Sequence, residues 1–477
     1  MRLQKDHPIP VVSHANLQDK MGIQMETSSP VKTKRPSGMP GFTVVFVGQL
    51  ISVIATQMTG FAMTLWIYKQ TSSATALGLA QVFFIVPFLL ISPIAGAMVD
   101  RYNRKLMMMI SDIGAGVTMI VILVLQSMGM LQLWHLYAAN IAIGFVNAFQ
   151  WPAYSAAITT MVSKQQLGRA NGMMSLIDAG PGVIAPLLAG ALIGIIQLTG
   201  ILLIDVVTYG VAIISLAVVF VPQPTRTEEG EKAKSNLWKE SIFGFKYIFA
   251  RRGLLGLLSI FLVGNLFSGI AGTLFAPAIL ARTGNNSVMM GTIQSTAAIA
   301  AVAGGLIMSA WGGFKRRING VVWGWVLSSL FGMTLFGFGR GLAVWIPTAM
   351  FMTVFGALIN GSSQAIWQSK VEPDLQGRVF ASRRLIAWIT QPITPIIAGT
   401  LADYVLEPAM KTATPLSSIF GPLFGIGPGA GMGLMITLCG IGCLLTALVG
   451  YTIPVIRNVE DSVPDHDQAA IPVENPA

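Results

Sequence analysis

The chain has 477 residues, of which 10% are charged and 53% are hydrophobic, and its mean hydropathy is +0.67. Because a soluble domain of average composition carries about 25% charged residues, this composition excludes an ordinary soluble protein. The net charge of +10 does not indicate a nucleic-acid partner. The basic residues are dispersed among short segments between apolar stretches, where they favour anchoring to anionic membrane lipid.

About twelve apolar stretches follow a polar N-terminal segment. Each approximates the ~20 residues that cross the hydrocarbon core of a bilayer as a helix. Continuous apolar runs without strict alternation indicate helices rather than the strands of a barrel. The predicted spans are 42–67, 75–99, 106–127, 134–160, 172–196, 199–221, 254–280, 288–310, 318–338, 343–369, 385–405 and 431–455.

The basic residues predict how the chain is threaded through the membrane. With the N-terminus in the cytoplasm, every Lys and Arg falls on the cytoplasmic side except Lys69, Arg282, Arg340 and Lys411. This is the positive-inside bias of membrane proteins. The sequence therefore predicts a multi-pass protein of the cytoplasmic (inner) membrane with both termini in the cytoplasm.

A longer polar stretch divides the chain into two halves. We predict a cytoplasmic tail at 1–41, an N-terminal six-helix bundle at 42–221, a cytoplasmic linker at 222–252, a C-terminal six-helix bundle at 253–457 and a second cytoplasmic tail at 458–477. Apolar residues at near-helical spacing in the second part of the linker predict an amphipathic helix on the inner leaflet. A solvated linker is the alternative.

The last two spans are separated by a long outer segment, 406–430. It contains Pro408, Pro415, Pro422 and Pro428. Because proline interrupts helices, we predict that this segment has no helix and forms a connecting loop, with a short lid as the alternative.

The two halves repeat a cytoplasmic pattern. Gly168-Arg169 follows span four and Gly377-Arg378 follows span ten, and a Val precedes each Gly at the same distance. Parallel repeats related by an axis along the membrane normal are a transporter architecture with the substrate site near the midplane. We therefore predict an all-α membrane protein with twelve transmembrane helices in two pseudo-symmetric six-helix bundles.

The loop between spans two and three carries the most specific motif. Residues 96–105 read GAMVDRYNRK and resemble the signature loop of the major facilitator superfamily, Gly-x-x-x-Asp-Arg-x-Gly-Arg-Arg/Lys. The matching positions are Gly96, Asp100, Arg101, Arg104 and Lys105. The loop departs at Asn103, where the family usually has Gly, and Asn is a common substitute for Gly where a positive φ is needed.

The resemblance implies the major facilitator fold and a conformational role for this loop. An acid at a helix end can cap or pair with a neighbouring helix across the cytoplasmic seam. We call the five matching residues the cytoplasmic latch, which has to break when the protein switches between its two facing states. The alternative is that these charges only set the topology.

Span five is rich in Gly and Pro and resembles the fifth-span motif of superfamily exporters. The motif residues are Gly180, Pro181, Pro186 and Gly190. Proline removes a helix hydrogen bond and kinks the helix. Phrases in spans one, four and six also resemble the drug-efflux branch that includes macrolide efflux proteins and the enterobactin exporter. The resemblance covers about residues 42–457 and implies export.

Ionisable groups within bilayer spans are costly and are functional candidates by default. The proton-coupling candidates are Asp112, Asp178 and Asp205. Apolar surroundings favour the neutral form of a carboxylic acid, so such a residue can take up and release protons, as a proton-driven antiporter requires. Each acid could instead brace a neighbouring helix. A fourth acid, Asp403, lies near the outer end of span eleven and is expected to be interfacial.

Polar and aromatic side chains within the spans predict a substrate cavity. Sites for small organic molecules combine apolar walls with a few hydrogen-bonding groups. The candidates are Gln49, Gln57, Asn147, Gln150, Trp151, Tyr154, Asn265, Asn360 and Gln364. Helix–helix packing is the alternative for each of them.

The sequence implies neither a cofactor nor a metal. Cys439 and Cys443 share one helix face, but a metal site needs more ligands. A nucleotide-driven pump is disfavoured because no Gly-x-x-x-x-Gly-Lys-Ser/Thr loop occurs. A membrane-embedded enzyme would need a catalytic constellation, and the histidines lie in the tails or at a span end.

The predicted function is secondary active export of a hydrophobic or amphipathic small organic molecule by alternating access, with proton antiport. A drug, a macrolide-like compound, a siderophore and a secondary metabolite all remain open as substrates. The partners are the substrate, protons and membrane lipid, and a pseudo-twofold monomer is sufficient for this mechanism. The alternatives are an uptake symporter of the same fold and, from a different class, a membrane-embedded enzyme.

The cytoplasmic latch can be tested by replacing Asp100 with Asn. We expect transport to fall about tenfold or more, because charge-assisted hydrogen bonds are the strong ones, while the amount of protein in the membrane stays unchanged. Glu229→Gln in the predicted linker is the control. Full transport by the Asp100→Asn variant would show that these charges serve only topology.

Overall fold

The structure is a computed structural model that describes residues 36–163, 166–222, 237–371, 375–411 and 414–462. The described part of the chain is almost entirely helical and contains no strand. Most of the two predicted tails lies outside these residues.

Five helices make up the described part of the first half. They are α1 (Gly38–Thr71), α2 (Ala74–Arg101), α3 (Arg104–Ser127), α4 (Leu133–Met161) and α5 (Leu167–Val218). The fifth and sixth predicted spans both lie in α5, which turns where Gln197 has φ 56° and ψ −176°. Such a positive φ is uncommon for a residue other than glycine.

The second half is built from longer helices and several short ones. They are α6 (Leu237–Ala250), α7 (Arg252–Thr283), α8 (Ser287–Trp311), α9 (Arg317–Leu327) with a π-helical continuation (Ser328–Thr334), α10 (Leu342–Lys370), α11 (Gln376–Trp388), α12 (Thr394–Leu401) with a π-helical continuation (Ala402–Leu406), α13 (Glu407–Lys411), α14 (Pro415–Phe424), α15 (Ala430–Thr452), α16 (Pro454–Arg457) and α17 (Val459–Ser462).

These helices account for the predicted spans. In the described residues, 8 helices are long and apolar enough to cross a membrane by length and composition, and α5 among them contains two spans. The other spans correspond to α4, to α9 with its π-helical continuation, and to α11 with α12. The predicted all-α fold with twelve transmembrane helices is confirmed.

The first half is held together by packing of α1 on α5, α2 on α4, and α3 on both α4 and α5. In the second half α8 packs on α10, α7 on α15, and α9 on α10. The main contacts between the described parts of the halves are two helix crossings, α5 on α8 and α2 on α12. The cavity described below lies beside the first of these crossings.

The linker helix α6 is docked on the second half. Its Ile248 is fully buried, and the hydroxyl of Tyr247 donates to the carbonyl oxygen of Lys370 at 3.2 Å. The guanidinium of Arg251 lies over the Tyr247 ring, 3.5 Å from its centre. A helix therefore forms where the linker was predicted to have one, and its position at the lipid surface stays a prediction.

The prediction of no helix at 406–430 is wrong, because α13 and α14 lie there. Pro415 is the first residue of α14, where the missing N–H would have no intrahelical partner in any case. Pro408 and Pro422 instead lie inside helical segments, because α13 continues directly from the π-helical segment Ala402–Leu406. Thr414 and Ser417 form a capping box at the start of α14. Proline therefore begins α14 and is also accommodated within helical segments of this region.

A buried acid in this segment fixes the start of α15. Glu407 is only 4% exposed, and its carboxylate accepts hydrogen bonds from the backbone N–H groups of Gly429 at 3.0 Å and Met432 at 2.9 Å. Negative charge is favourable at a helix N-terminus, where backbone N–H groups lack intrahelical partners. Glu407 therefore acts as a cap supplied from another helix.

This cap yields a stability prediction. Replacing Glu407 by Ala leaves two buried N–H groups without an acceptor, which we expect to cost about 1–3 kcal/mol and to lower the melting temperature of the detergent-solubilised protein. Lys411→Ala is the matched control, because the Lys411 ammonium lies 3.9 Å from the same carboxylate and its side chain is half exposed. Equal melting temperatures for the Glu407→Ala variant and the unsubstituted protein would contradict the capping role.

Candidate functional site

A cavity of about 640 Å³ lies among the helices of the first half. Its walls come from α1 to α5, and α8 of the second half contributes Met290 and Gln294. Apolar side chains such as Phe61, Phe84 and Met119 alternate with hydroxyl and amide groups. This volume and this mixture are typical of sites for small organic molecules.

Three side chains from three helices form a hydrogen-bonded group on the cavity wall, which we call the polar triad. The carboxylate of Asp112 on α3 accepts from Gln49 Nε2 on α1 and from Gln150 Nε2 on α4, each at 2.8 Å. Gln150 Nε2 also lies 3.1 Å from Gln49 Oε1. Asp112 is only 4% exposed, so the two amides replace the water that a carboxylate would otherwise bind.

Asp112 lies on α3, and a side-chain cap fixes where this helix begins. Asn103 caps the helix by accepting a hydrogen bond from the Leu106 N–H through its side-chain oxygen at 3.2 Å. Its φ is −65°, so the expectation of a positive φ at this position is wrong. A polar side chain that can cap a helix suits this position, which explains why Asn can stand here.

The second predicted acid within the described residues lies behind the cavity wall. Asp205 is completely buried, and its Oδ1 accepts from Thr56 Oγ1 at 3.0 Å. Thr56 Oγ1 lies 3.1 Å from the Tyr209 hydroxyl, and both Thr56 and Tyr209 line the cavity. The other carboxylate oxygen of Asp205 has no hydrogen-bond partner among the described atoms.

Three further predicted cavity residues, Gln57, Asn147 and Tyr154, also line the cavity. Tyr154 is 5% exposed, and its hydroxyl has no hydrogen-bond partner among the described atoms. The backbone of Trp151 belongs to α4 and that of Asp178 to α5. The side chains of these two residues lie outside the described part of the structure.

The predicted cavity residues of the second half lie elsewhere. Asn265 Nδ2 donates to the Ala387 carbonyl at 3.3 Å, and Asn360 donates to a carbonyl of its own helix. Gln364 Oε1 accepts from the Arg383 guanidinium at 2.9 Å. The structure does not bring these side chains to the cavity that holds the polar triad.

The described part of the cytoplasmic latch contacts the first half. The Lys105 ammonium donates to the carbonyl oxygens of Ala217 at 2.9 Å and Val219 at 2.7 Å. These carbonyls lie at the C-terminal end of α5, where a cation is favourable. Arg104 begins α3. The side chains of Asp100 and Arg101 and the surroundings of Gly96 lie outside the described part of the structure, and the role of the latch stays a prediction.

The exporter-like motif places a close helix crossing beside the cavity. A Cβ built on Gly190 would lie 2.8 Å from the Ser287 carbonyl oxygen, and one on Gly291 would overlap the Pro186 carbonyl oxygen. Ser287 Oγ also donates to the Gly190 carbonyl at 3.0 Å. Gly180 and Pro181 lie nearer the cytoplasmic end of the same helix, and a Cβ on Gly180 would meet no atom within 4 Å.

Sequence reasoning missed part of the wall. Thr56, Tyr209 and Gln294 line the cavity but were not among the predicted residues. Gln294 satisfies the criterion that selected the other candidates, because it is a polar residue in the middle of an apolar span. Tyr209 satisfies it as well, because it is an aromatic residue within span six, as Tyr154 is within span four. Thr56 gave no comparable signal, since a lone threonine in an apolar helix can hydrogen-bond to its own backbone.

The polar triad yields a stability prediction. Gln49→Leu removes one of the two amide donors to the buried Asp112 carboxylate, which we expect to cost about 1–3 kcal/mol and to lower the melting temperature. Gln57→Leu is the matched control, because Gln57 lies on the same helix and lines the same cavity with an exposed side chain. Equal losses in the two variants would contradict a specific role for the Gln49 amide.

Known proteins resemble this chain in sequence. The family model described as the Major Facilitator Superfamily matches residues 45–277. Macrolide efflux protein A of Streptococcus pyogenes is 24% identical over 376 residues, which cover 76% of this chain and 90% of that protein. The enterobactin exporter EntS of Salmonella typhimurium is 23% identical over 417 residues, which cover 86% of this chain and 92% of the exporter.

Solved structures agree on the fold. A bacterial homologue of the human lysosomal transporter Spinster superposes with a TM-score of 0.67 at 14% identity, covering 89% of this chain and 98% of the other. A bacterial homologue of the iron transporter ferroportin gives a TM-score of 0.61 at 12% identity, with coverages of 86% and 98%. The chain is therefore a multi-pass membrane transporter, not an enzyme, and it resembles the Major Facilitator Superfamily in sequence and in fold.

Proposed function

We propose that this chain is a secondary active exporter that moves a hydrophobic or amphipathic small organic molecule out across the cytoplasmic membrane in exchange for protons. The observation that carries the proposal is the buried Asp112 carboxyl, held by two amides on the wall of a largely apolar cavity. The efflux names of its relatives support the outward direction.

The charge of the cavity narrows the substrate class. Asp112 is the single charged residue among the described residues that line the cavity, and no Lys, Arg or His accompanies it. An anionic substrate would meet an acid and no counter-charge in surroundings of low dielectric constant, where like charges repel strongly. The cavity therefore favours a neutral or cationic amphiphile. Met63, Met119 and Met290 supply flexible apolar surface suited to varied shapes.

The polar triad suits a group that gains and loses a proton. A charged carboxylate needs donors, and both amides donate to it; a neutral acid also needs an acceptor for its own hydrogen. A half-turn of an amide exchanges its NH₂ for its carbonyl oxygen, and Gln150 Oε1 has no partner among the described atoms. The triad can thus hydrogen-bond both forms of Asp112. Asp205 and Asp178 remain further candidates for the coupling acid.

Alternating access would follow from movement of the 42–221 bundle against the 253–457 bundle. The substrate site would lie beside the α5–α8 crossing, and the cytoplasmic latch would close the opposite seam in the outward-facing state. A monomer embedded in the inner membrane, with both termini in the cytoplasm and basic loops at anionic lipid, is sufficient for this cycle.

The proposal can be tested with inverted membrane vesicles and an acid-inside proton gradient. We expect a macrolide antibiotic or a lipophilic cationic dye to accumulate inside, and accumulation to disappear with a protonophore. Asp112→Asn, which cannot carry a proton, should abolish gradient-driven accumulation, whereas Asp112→Glu keeps the carboxyl group and should retain part of it. Accumulation only with the opposite gradient would instead identify an uptake symporter.

A further inference from the structure

An acid of the second half caps a helix of the first half. The Asp403 carboxylate accepts hydrogen bonds from the Ser73 hydroxyl at 2.6 Å and from the backbone N–H groups of Ala74 at 3.0 Å and Thr75 at 2.8 Å. Ser73 is the N-cap of α2, and its oxygen also accepts from the Ala76 N–H. A negative charge here satisfies orphan donors and complements the positive end of the helix dipole.

The backbones of the two halves meet next to this carboxylate. A Cβ built on Gly399 of α12 would lie 2.7 Å from the backbone nitrogen of Thr75, and one built on Gly78 of α2 would lie 2.5 Å from the Pro395 carbonyl oxygen. Side chains at these two positions would force the helices apart. The seam is therefore closed by direct backbone contact around Asp403.

The second crossing between the halves closes the same end without a charge. Ser287, at the start of α8, donates to the Gly190 carbonyl of α5. Toward the opposite end of these helices, a Cβ on Gly180 or Gly305 would meet no atom within 4 Å. The tight approaches described between the halves thus lie toward the outer face predicted from the positive-inside bias. Nearer the cytoplasm, a Cβ on Gly182 of α5 would lie at an ordinary van der Waals distance, 3.7 Å, from the Ala298 side chain of α8.

We propose that Asp403 is a gate residue of the transport cycle. Together with Ser73 and the N-terminus of α2 it forms what we call the extracellular clasp, which holds the outer seam shut and must break before the cavity opens outward. This inference rests on the proposed function, which states which face of the protein is extracellular and that the protein alternates between inward-open and outward-open states.

The chemistry of the clasp suits a contact that breaks in every cycle. Hydrogen bonds between a carboxylate and N–H or O–H groups are strong in a closed seam, yet water can replace every partner once the seam opens. A second cavity of about 460 Å³, lined by Ser73, Asp403 and Glu407, borders the clasp on this side. Water entering it would reach the separating groups, so opening leaves no buried polar atom unpaired.

Removal of the carboxylate should shift the protein toward the outward-open state. The test uses the full chain with Asn147→Cys as a reporter, because Asn147 lines the main cavity with an exposed side chain. Cys439 and Cys443 are both buried, and the chain without the reporter gives the background. A membrane-impermeant maleimide is added to right-side-out vesicles, and the rate of labelling is measured.

In the Asp403→Ala variant we expect outside labelling of the reporter to accelerate about tenfold or more, because hydrogen bonds to a charged group are the strong ones. Asp403→Asn retains one carbonyl acceptor and should give a smaller increase, and it serves if the alanine variant fails to insert. Asp461→Asn is the matched control, because Asp461 pairs with Arg316 at the cytoplasmic base of the second half. It should leave outside labelling unchanged.

Unchanged outside labelling in folded Asp403→Ala and Asp403→Asn proteins would overturn the clasp. The same acceleration in Asp461→Asn would also overturn it, because the effect would then be a general loosening. The measurement uses neither a substrate nor a proton gradient. A negative result for the clasp can therefore be distinguished from a failure of the proposed export activity, which the inverted-vesicle assay measures.

Discussion

A polar group inside a bilayer finds its hydrogen-bond partners within the protein, because the hydrocarbon offers none. This constraint makes every span of the chain a helix and governs the buried acids Glu407 and Asp112 and the partly buried Asp403. Glu407 pairs with backbone N–H groups of α15, Asp403 with the start of α2, and Asp112 with two amides. In each case the partner lies on a different helix from the acid, so satisfying the charge also fixes how helices are arranged.

The identity of the partners separates structural acids from an acid suited to chemistry. The backbone N–H groups that hold Glu407 can only donate, so they match a charged carboxylate and offer nothing to the hydrogen of a neutral acid. Two of the three partners of Asp403 are also backbone N–H groups, and the third is the Ser73 hydroxyl, which already accepts from the Ala76 N–H. The amides of Gln49 and Gln150 carry a donor and an acceptor each and can match either form. The distinction points to Asp112 as the group that changes its proton during the proposed cycle.

The two halves share an architecture but contribute unequally to the cavity. The cavity belongs mainly to the first half, and the second half contributes α8 as one wall. In the second half, Glu460 of the C-terminal segment accepts hydrogen bonds from the backbone N–H groups of Arg317 and Ile318 at the start of α9. The two halves therefore have the same kind of helical architecture but differ in the side chains that fill it.

The sequence by itself determined the class of protein and the helical spans, because hydrophobic length and the positive-inside bias are local properties of the chain, and its loop motif indicated the superfamily. It also singled out Gln49, Asp112 and Gln150 as separate candidates. Only the tertiary structure joined these three into one group and placed Asn265 and Gln364 away from it, because which face of a helix meets which neighbour depends on packing between distant segments. The pairing of Asp403 with α2 likewise depends on two residues more than 300 positions apart.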